Sequence, residues 1–181
     1  TRPREVAGVL WFAAGPAHYS PFVPVPSGLK RSLPPLTELY PWKFLKNSMN
    51  WACRKVMTIA QVRFDFMHPI VAGKQHEVEL AGAAILAEAT NYLVKAGKQK
   101  EFEQAFVDHS SKVLETWHDL ADDMVFGYSD NHHILGVSAP DAPVPLGYPA
   151  DWLQAVALPQ GPPAVPPIRP GQCPNWDSGC D

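Results

Sequence analysis

Gly8-Val9-Leu10-Trp11-Phe12-Ala13-Ala14-Gly15-Pro16-Ala17-His18-Tyr19-Ser20-Pro21-Phe22-Val23-Pro24 is the stretch on which the reading of this chain turns. Val6, Ala7, Val9, Leu10, Trp11 and Phe12 form an apolar run over residues 5–14 that is too short for an ordinary helix and reads as a buried strand. Gly15-Pro16 ends it. From Pro16 to Pro41 the prolines at 16, 21, 24, 26, 34, 35 and 41 each remove an amide donor and restrict the preceding residue, which excludes regular helix. Phe22 and Val23 can still form a short edge strand. A long irregular segment in a compact domain usually lines a site or covers an edge.

Three helices follow in the pattern. Asn47 or Ser48 can cap the first, whose apolar positions Met49, Ala52, Val56, Ile59, Ala60 and Met67 carry it to about residue 67, before His68-Pro69. Residues 75–96, rich in Ala and Glu, form a second, with Gly97 placed to end it. The third spans 100–124. Its Phe102, Phe106, His109, Val113, Trp117, Leu120 and Met124 recur at three- and four-residue steps on one continuous face. Beyond Tyr128 the character changes: eleven of the 20 prolines lie from Pro140 onward, among Gly, Asp and Trp. Such a tail cannot build its own core, although Trp152, Leu153, Val156 and Trp176 offer anchors. The expected organisation is a strand, loop and helical part over 1–128 and a Pro-rich irregular extension over 129–181.

The 181 residues suffice for one sizeable core. Net charge is −3 and Lys and Arg are scattered, so no nucleic-acid footprint is visible. No apolar run approaches the roughly 20 residues of a membrane span. Thr1-Arg2-Pro3-Arg4-Glu5 reads as the middle of something larger, left by processing or preceded by an earlier segment.

Cys53 sits in a helical pattern and reads as a small buried residue, unsuited to nucleophilic attack because burial keeps a thiol protonated. Cys173 and Cys180 flank Pro-Asn-Trp-Asp-Ser-Gly and read as a local disulfide, against the alternative of two free thiols. The disulfide implies an oxidising setting: secretory, lysosomal or vacuolar, or extracellular.

Other candidate groups weigh less. His18-Tyr19-Ser20 lacks the Gly-x-Ser-x-Gly elbow that presents a nucleophilic serine. His132-His133, beside Asp130 and Asn131, has no third ligand at matching spacing and reads as a solvated loop rather than a metal site. His109 reads as a core histidine and His68 as helix-terminal. Asp65, Glu77, Glu79 and Glu88 read as solvated helix charges. No metal or cofactor is expected.

Strand, Pro-rich loop and helices in this order, with Val9-Leu10-Trp11-Phe12-Ala13, Ser20-Pro21-Phe22-Val23-Pro24, Asn50-Trp51-Ala52-Cys53-Arg54 and Glu115-Thr116-Trp117-His118-Asp119-Leu120 near Asp122-Asp123-Met124, resemble the C-terminal part of the PepD-type cysteine dipeptidases and secernins. The resemblance covers Val6 to Tyr128. It implies the C-terminal portion of an α+β, four-layer αββα sandwich of the N-terminal-nucleophile hydrolases. An N-terminal cysteine upstream of this region attacks an amide in such enzymes, with its own α-amino group as base. The implied partners are that upstream segment of the same precursor and a small peptide substrate, with a homo-oligomer possible in principle. No catalytic residue is expected in this chain. By its place in the family, the loop puts Tyr19 and Ser20 at the substrate cleft, near a developing oxyanion. Two other readings compete: a catalytically inactive scaffold or assembly subunit of the same fold, and an amidase using Thr1, against which the intervening Arg2-Pro3-Arg4 argues. A strand without its sheet should also leave apolar surface exposed around Trp11, Phe12 and the third helix.

Overall fold

The computed structural model describes residues 4–40, 42–94, 98–128, 132–133, 144–145 and 154–155. Thr1, Cys173 and Cys180 lie outside them. The chain divides into two compact units, Thr1–Gly127 and Tyr128–Asp181. The first is a mixed α+β unit, mostly helical with one small sheet. In the second, β3 (His132–His133) pairs antiparallel with β4 (Val144–Pro145).

The unit begins with a 3-10 turn at Arg4–Val6, and β1 is confined to Val9–Phe12. β1 pairs antiparallel with β2 (Val23–Pro26) in the register Val9↔Pro26, Leu10↔Val25, Trp11↔Pro24, Phe12↔Val23. Prolines at alternate positions of β2 are compatible with this register. Ser27 N–H donates to Gly8 O at 2.9 Å, so the hydrogen-bonding positions of β2 are Val23, Val25 and Ser27. Pro24 and Pro26 fall between them, where an N–H would point away from β1.

The Pro-rich region is not free of helix. A 3-10 turn occupies Ala17–Tyr19, and α1 (Pro34–Thr37) is a single turn with proline at its start, where the missing N–H costs nothing. α2 runs Met49–Ala60 and buries Met49, Ala52, Cys53, Val56 and Ala60. Ser48 stands at its N-cap, but the hydroxyl donates to Glu38 O rather than capping the helix.

The largest departure from the sequence reading is at His68-Pro69. The chain breaks helix earlier, in a 3-10 turn at Gln61–Arg63, and α3 (Phe64–Val94) then runs straight through the proline. Pro69 lies near the helix start, so only the bond from its nitrogen to the carbonyl of Asp65 is forgone, and Asp65 is exposed to water. Met67, Val71 and Val78, buried on either side, hold the helix through the defect.

α4 spans Gln99–Gly127, and all seven residues of its apolar face are buried. α2 and α3 both pack on it, while α3 and α4 together back β2. The expected exposure of this helix face is therefore wrong: the chain's own helices cover it. Trp117, Phe102 and Phe106 are fully enclosed, each contributing about 1.5–3 kcal/mol of burial. Exposure persists on β1, where Leu10 is 61% and Trp11 37% accessible, so the strand is not the buried one its apolar run predicts: α3 and α4 cover β2 rather than β1.

Candidate functional site

The 13–22 loop joins β1 to β2, and irregular backbone of this kind must find partners for its polar groups. Helix side chains supply them. Trp117 Nε1–H donates to Tyr19 O at 2.8 Å, bridging 98 residues. Gln75 Nε2 donates to Ala17 O (3.1 Å) and Ser20 O (2.9 Å), and Phe22 N–H donates to Glu79 Oε1 at 3.1 Å. Glu79, half-buried at the helix surface, is thus a structural acceptor as well as a surface charge. Spacing along α3 could not signal that role, because its partner lies 57 residues away.

Tyr19 and Ser20, read from the resemblance as cleft residues, are buried on this loop, Ser20 completely. The Ser20 hydroxyl faces the Cys53 thiol of α2 closely enough to favour the thiolate slightly, yet it lacks conventional hydrogen-bond geometry to any partner among the described residues. Burial dominates: it pushes the Cys53 thiol up to about 12, with the Ser20 hydroxyl opposing weakly. Cys53 is therefore a protonated core residue at physiological pH. Gly15 closes the cluster. A Cβ there would sit 2.7 Å from Cys53 Cβ and 2.8 Å from Ser20 Oγ, so only glycine lets the chain pass.

His18 turns outward while Ser20 turns inward, so the loop does not join them into a nucleophile–base pair. The His18 ring instead meets His68, with centroids 6.3 Å apart; His68 also lies 6.3 Å from Tyr19 and stacks on Phe64 at 4.6 Å. His68 belongs to the first turns of α3 rather than to a helix end.

His109 is buried on α4 with Nε2 unpartnered, and desolvation holds its pKa below the usual value. Gly82 of α3 permits this: a Cβ there would lie 2.9 Å from Pro24 Cδ and 3.0 Å from His109 Nε2. Among the described residues no three or more His, Cys, Asp or Glu gather to hold a metal. None of the helices there is long and apolar enough to cross a membrane. The backbone of His132-His133 forms β3.

A second feature is the open side of the sheet. Because the hydrogen-bonding positions of the ribbon are Leu10, Phe12, Val23 and Val25, the amides and carbonyls of Val9 and Trp11 point away from β2. The far edge of β2 offers no N–H at Pro24 or Pro26. Another strand can join this sheet through regular hydrogen bonds only at β1. Among the described residues the sheet ends there.

No protein-family model, curated protein or solved structure matches this chain at a significant level.

Proposed function

We propose that the chain is the C-terminal portion of a dipeptidase-like amide hydrolase resembling the PepD-type cysteine dipeptidases and secernins. An upstream segment completes the αββα sandwich and carries the nucleophilic cysteine. The observation that carries this reading is the asymmetry of the β1–β2 ribbon. Proline blocks one edge, while among the described residues the other is unpaired at Val9 and Trp11, with the Leu10 and Trp11 side chains exposed. A two-stranded ribbon is marginal alone, and an apolar open edge is a template for a further strand.

In the proposed reaction the upstream cysteine thiolate adds to the scissile carbonyl carbon, its proton held by the same residue's α-amino group. That group returns the proton to the leaving amine as the C–N bond breaks. Water then adds to the thioester, and the acid product leaves with regeneration of the thiol. Tyr19 and Ser20 act from behind the cleft. Their carbonyls are tied to Trp117 and Gln75, which fixes the course of the loop wall.

N-terminal sequencing of native material, with dipeptide hydrolysis before and after thiol alkylation, tests this reading. A companion segment beginning with Cys and alkylation-sensitive hydrolysis are expected. A single soluble, cooperatively folding 181-residue monomer without amidase activity would refute it.

One observation favours the inactive-scaffold alternative: Tyr19 and Ser20, the residues the resemblance puts at the cleft, are both buried, so neither hydroxyl is presented to a substrate. A companion segment beginning with a residue other than Cys, and no hydrolysis, selects it. The Thr1 amidase requires a free Thr1 amine and loss of activity in Thr1→Ala.

A further inference from the structure

The segment between α1 and α2 displays aromatic side chains to solvent. Trp42 is 96% accessible and Phe44 68%, with Tyr40 and Leu39 also exposed. Exposure of this kind on a loose loop would carry little weight, but here the backbone is held at several points. Trp51 Nε1 donates to Tyr40 O (3.0 Å) and Lys43 O (2.7 Å). The Ser48 hydroxyl donates to Glu38 O, and His118 Nε2 lies 2.8 Å from Lys46 O. Holding the backbone in place while leaving Trp42 and Phe44 outside means that their exposure is built in.

The surroundings are cationic. Lys43 and Lys46 are exposed on the same segment and form no ion pair among the described residues. Arg54 lies over the Trp51 ring at 5.3 Å, and Phe44 meets Trp51 edge-to-face at 5.8 Å. Lys55 is paired with Asp122, whose field also reaches Lys46, so the local positive charge rests on Lys43, Arg54 and the partly offset Lys46, with Glu38 opposing. Beside them an open groove of about 330 Å³ is lined by Phe44, Trp51, Arg54, Lys55, Thr58 and Ile59. Trp, Tyr and Phe interleaved with Lys is the composition that partitions into the headgroup layer of a bilayer. There the rings take the acyl boundary and the ammonium groups meet lipid phosphates.

We propose that residues 39–40 and 42–46 form a membrane-surface anchor that seats Trp42 and Phe44 in the headgroup region of an anionic bilayer, with Lys43, Lys46 and Arg54 facing its phosphates. The overall charge of −3 does not oppose this, because the relevant field falls off within a Debye length of the loop. The absence of a spanning helix among the described residues is equally compatible, since such an anchor lies on the surface. This inference is independent of the hydrolase reading.

Co-sedimentation of the full chain with phosphatidylcholine vesicles, with and without phosphatidylserine, tests it. Binding is expected only with phosphatidylserine, weakening as salt is raised. Each lysine near the surface contributes about five-fold, so Lys43→Gln with Lys46→Gln should lower the partition coefficient roughly 30-fold. Trp42→Ser with Phe44→Ser should lower it about tenfold or more, since the apolar contribution is lost. Trp42 is almost wholly exposed, so Trp42→Ser and the two lysine changes should leave the melting temperature unchanged, and Lys112→Gln on α4 is the charge control. Three results would overturn the proposal: no binding at low salt, equal loss in the Lys112 control, or footprinting that shows Trp42 and Phe44 covered by a companion polypeptide.

Discussion

Trp117→Phe probes the joint on which the loop depends. The indole is fully buried in the α4 seam, and its N–H bonds the Tyr19 carbonyl at 2.8 Å. Phenylalanine keeps an aromatic ring in the seam but removes the donor. Leaving a buried carbonyl unpaired costs about 1–3 kcal/mol. The lost volume, about 40 Å³ at about 24 cal/mol per Å³, adds roughly 1 kcal/mol. The expected destabilisation is therefore about 2–4 kcal/mol, a large share of the usual stability of about 5–15 kcal/mol. Urea denaturation followed by circular dichroism reads the total, and hydrogen exchange reads its location. Protection should fall most at the amides of Tyr19 and Phe22, which are bonded to Pro16 O and Glu79, and less at Ser27 in the β1–β2 ladder. A loss below about 1 kcal/mol, or one spread evenly over loop and ladder, would refute the idea that this bond holds the loop.

Two glycines of α3 should respond with opposite signs. Gly73→Ala, where a Cβ meets nothing within 4 Å, should stabilise by about 0.5–1 kcal/mol through helix propensity, whereas Gly82→Ala should lower the melting temperature because overpacking at about 1–3 kcal/mol exceeds that gain. His109 makes stability pH-dependent. Its folded pKa is depressed by burial, so the unfolded chain binds the extra proton; stability is full above the unfolded value of about 6.5 and declines below it by at most about 1.4 kcal/mol per pH unit. Denaturation from pH 8 to pH 5 should show this decline, and His109→Gln should flatten it. Cys53, pushed up to about 12, should resist iodoacetamide in native protein at pH 8 and react once unfolded, as read by peptide mass mapping.

The parts legible in sequence were those governed by local periodicity. The steps from Phe102 to Met124 specify which face of α4 is apolar whatever it packs on, because 3.6-residue geometry is intrinsic to a helix. Likewise Cys53 among apolar helical neighbours announces a buried thiol. Pro69 was misread because a helix-breaking tendency is a local cost, and burial of Met67 and Val71 outweighed it. Tyr19 and Ser20 show the same limit from the other side. Nothing in Tyr-Ser between prolines says which way the side chains face. That is settled by Trp117 and Gln75, far along the chain, which claim the loop's carbonyls and draw it inward.

The 39–46 aromatics illustrate the converse. Their exposure depends on Trp51, Ser48 and His118 holding the backbone, a matter of contacts between segments rather than of composition. The sequence by itself determined the helical character of most of residues 49–124, the apolar seam of α4 and the presence of a strand before a Pro-rich loop. Only the tertiary structure decided that β2 places its proline nitrogens on the side away from β1 while burying their rings, that among the described residues β1 keeps the open edge, and that the loop faces the core. The physical reason is that periodicity and propensity act within a few residues, whereas register, edge and burial are set by partners distant in the chain.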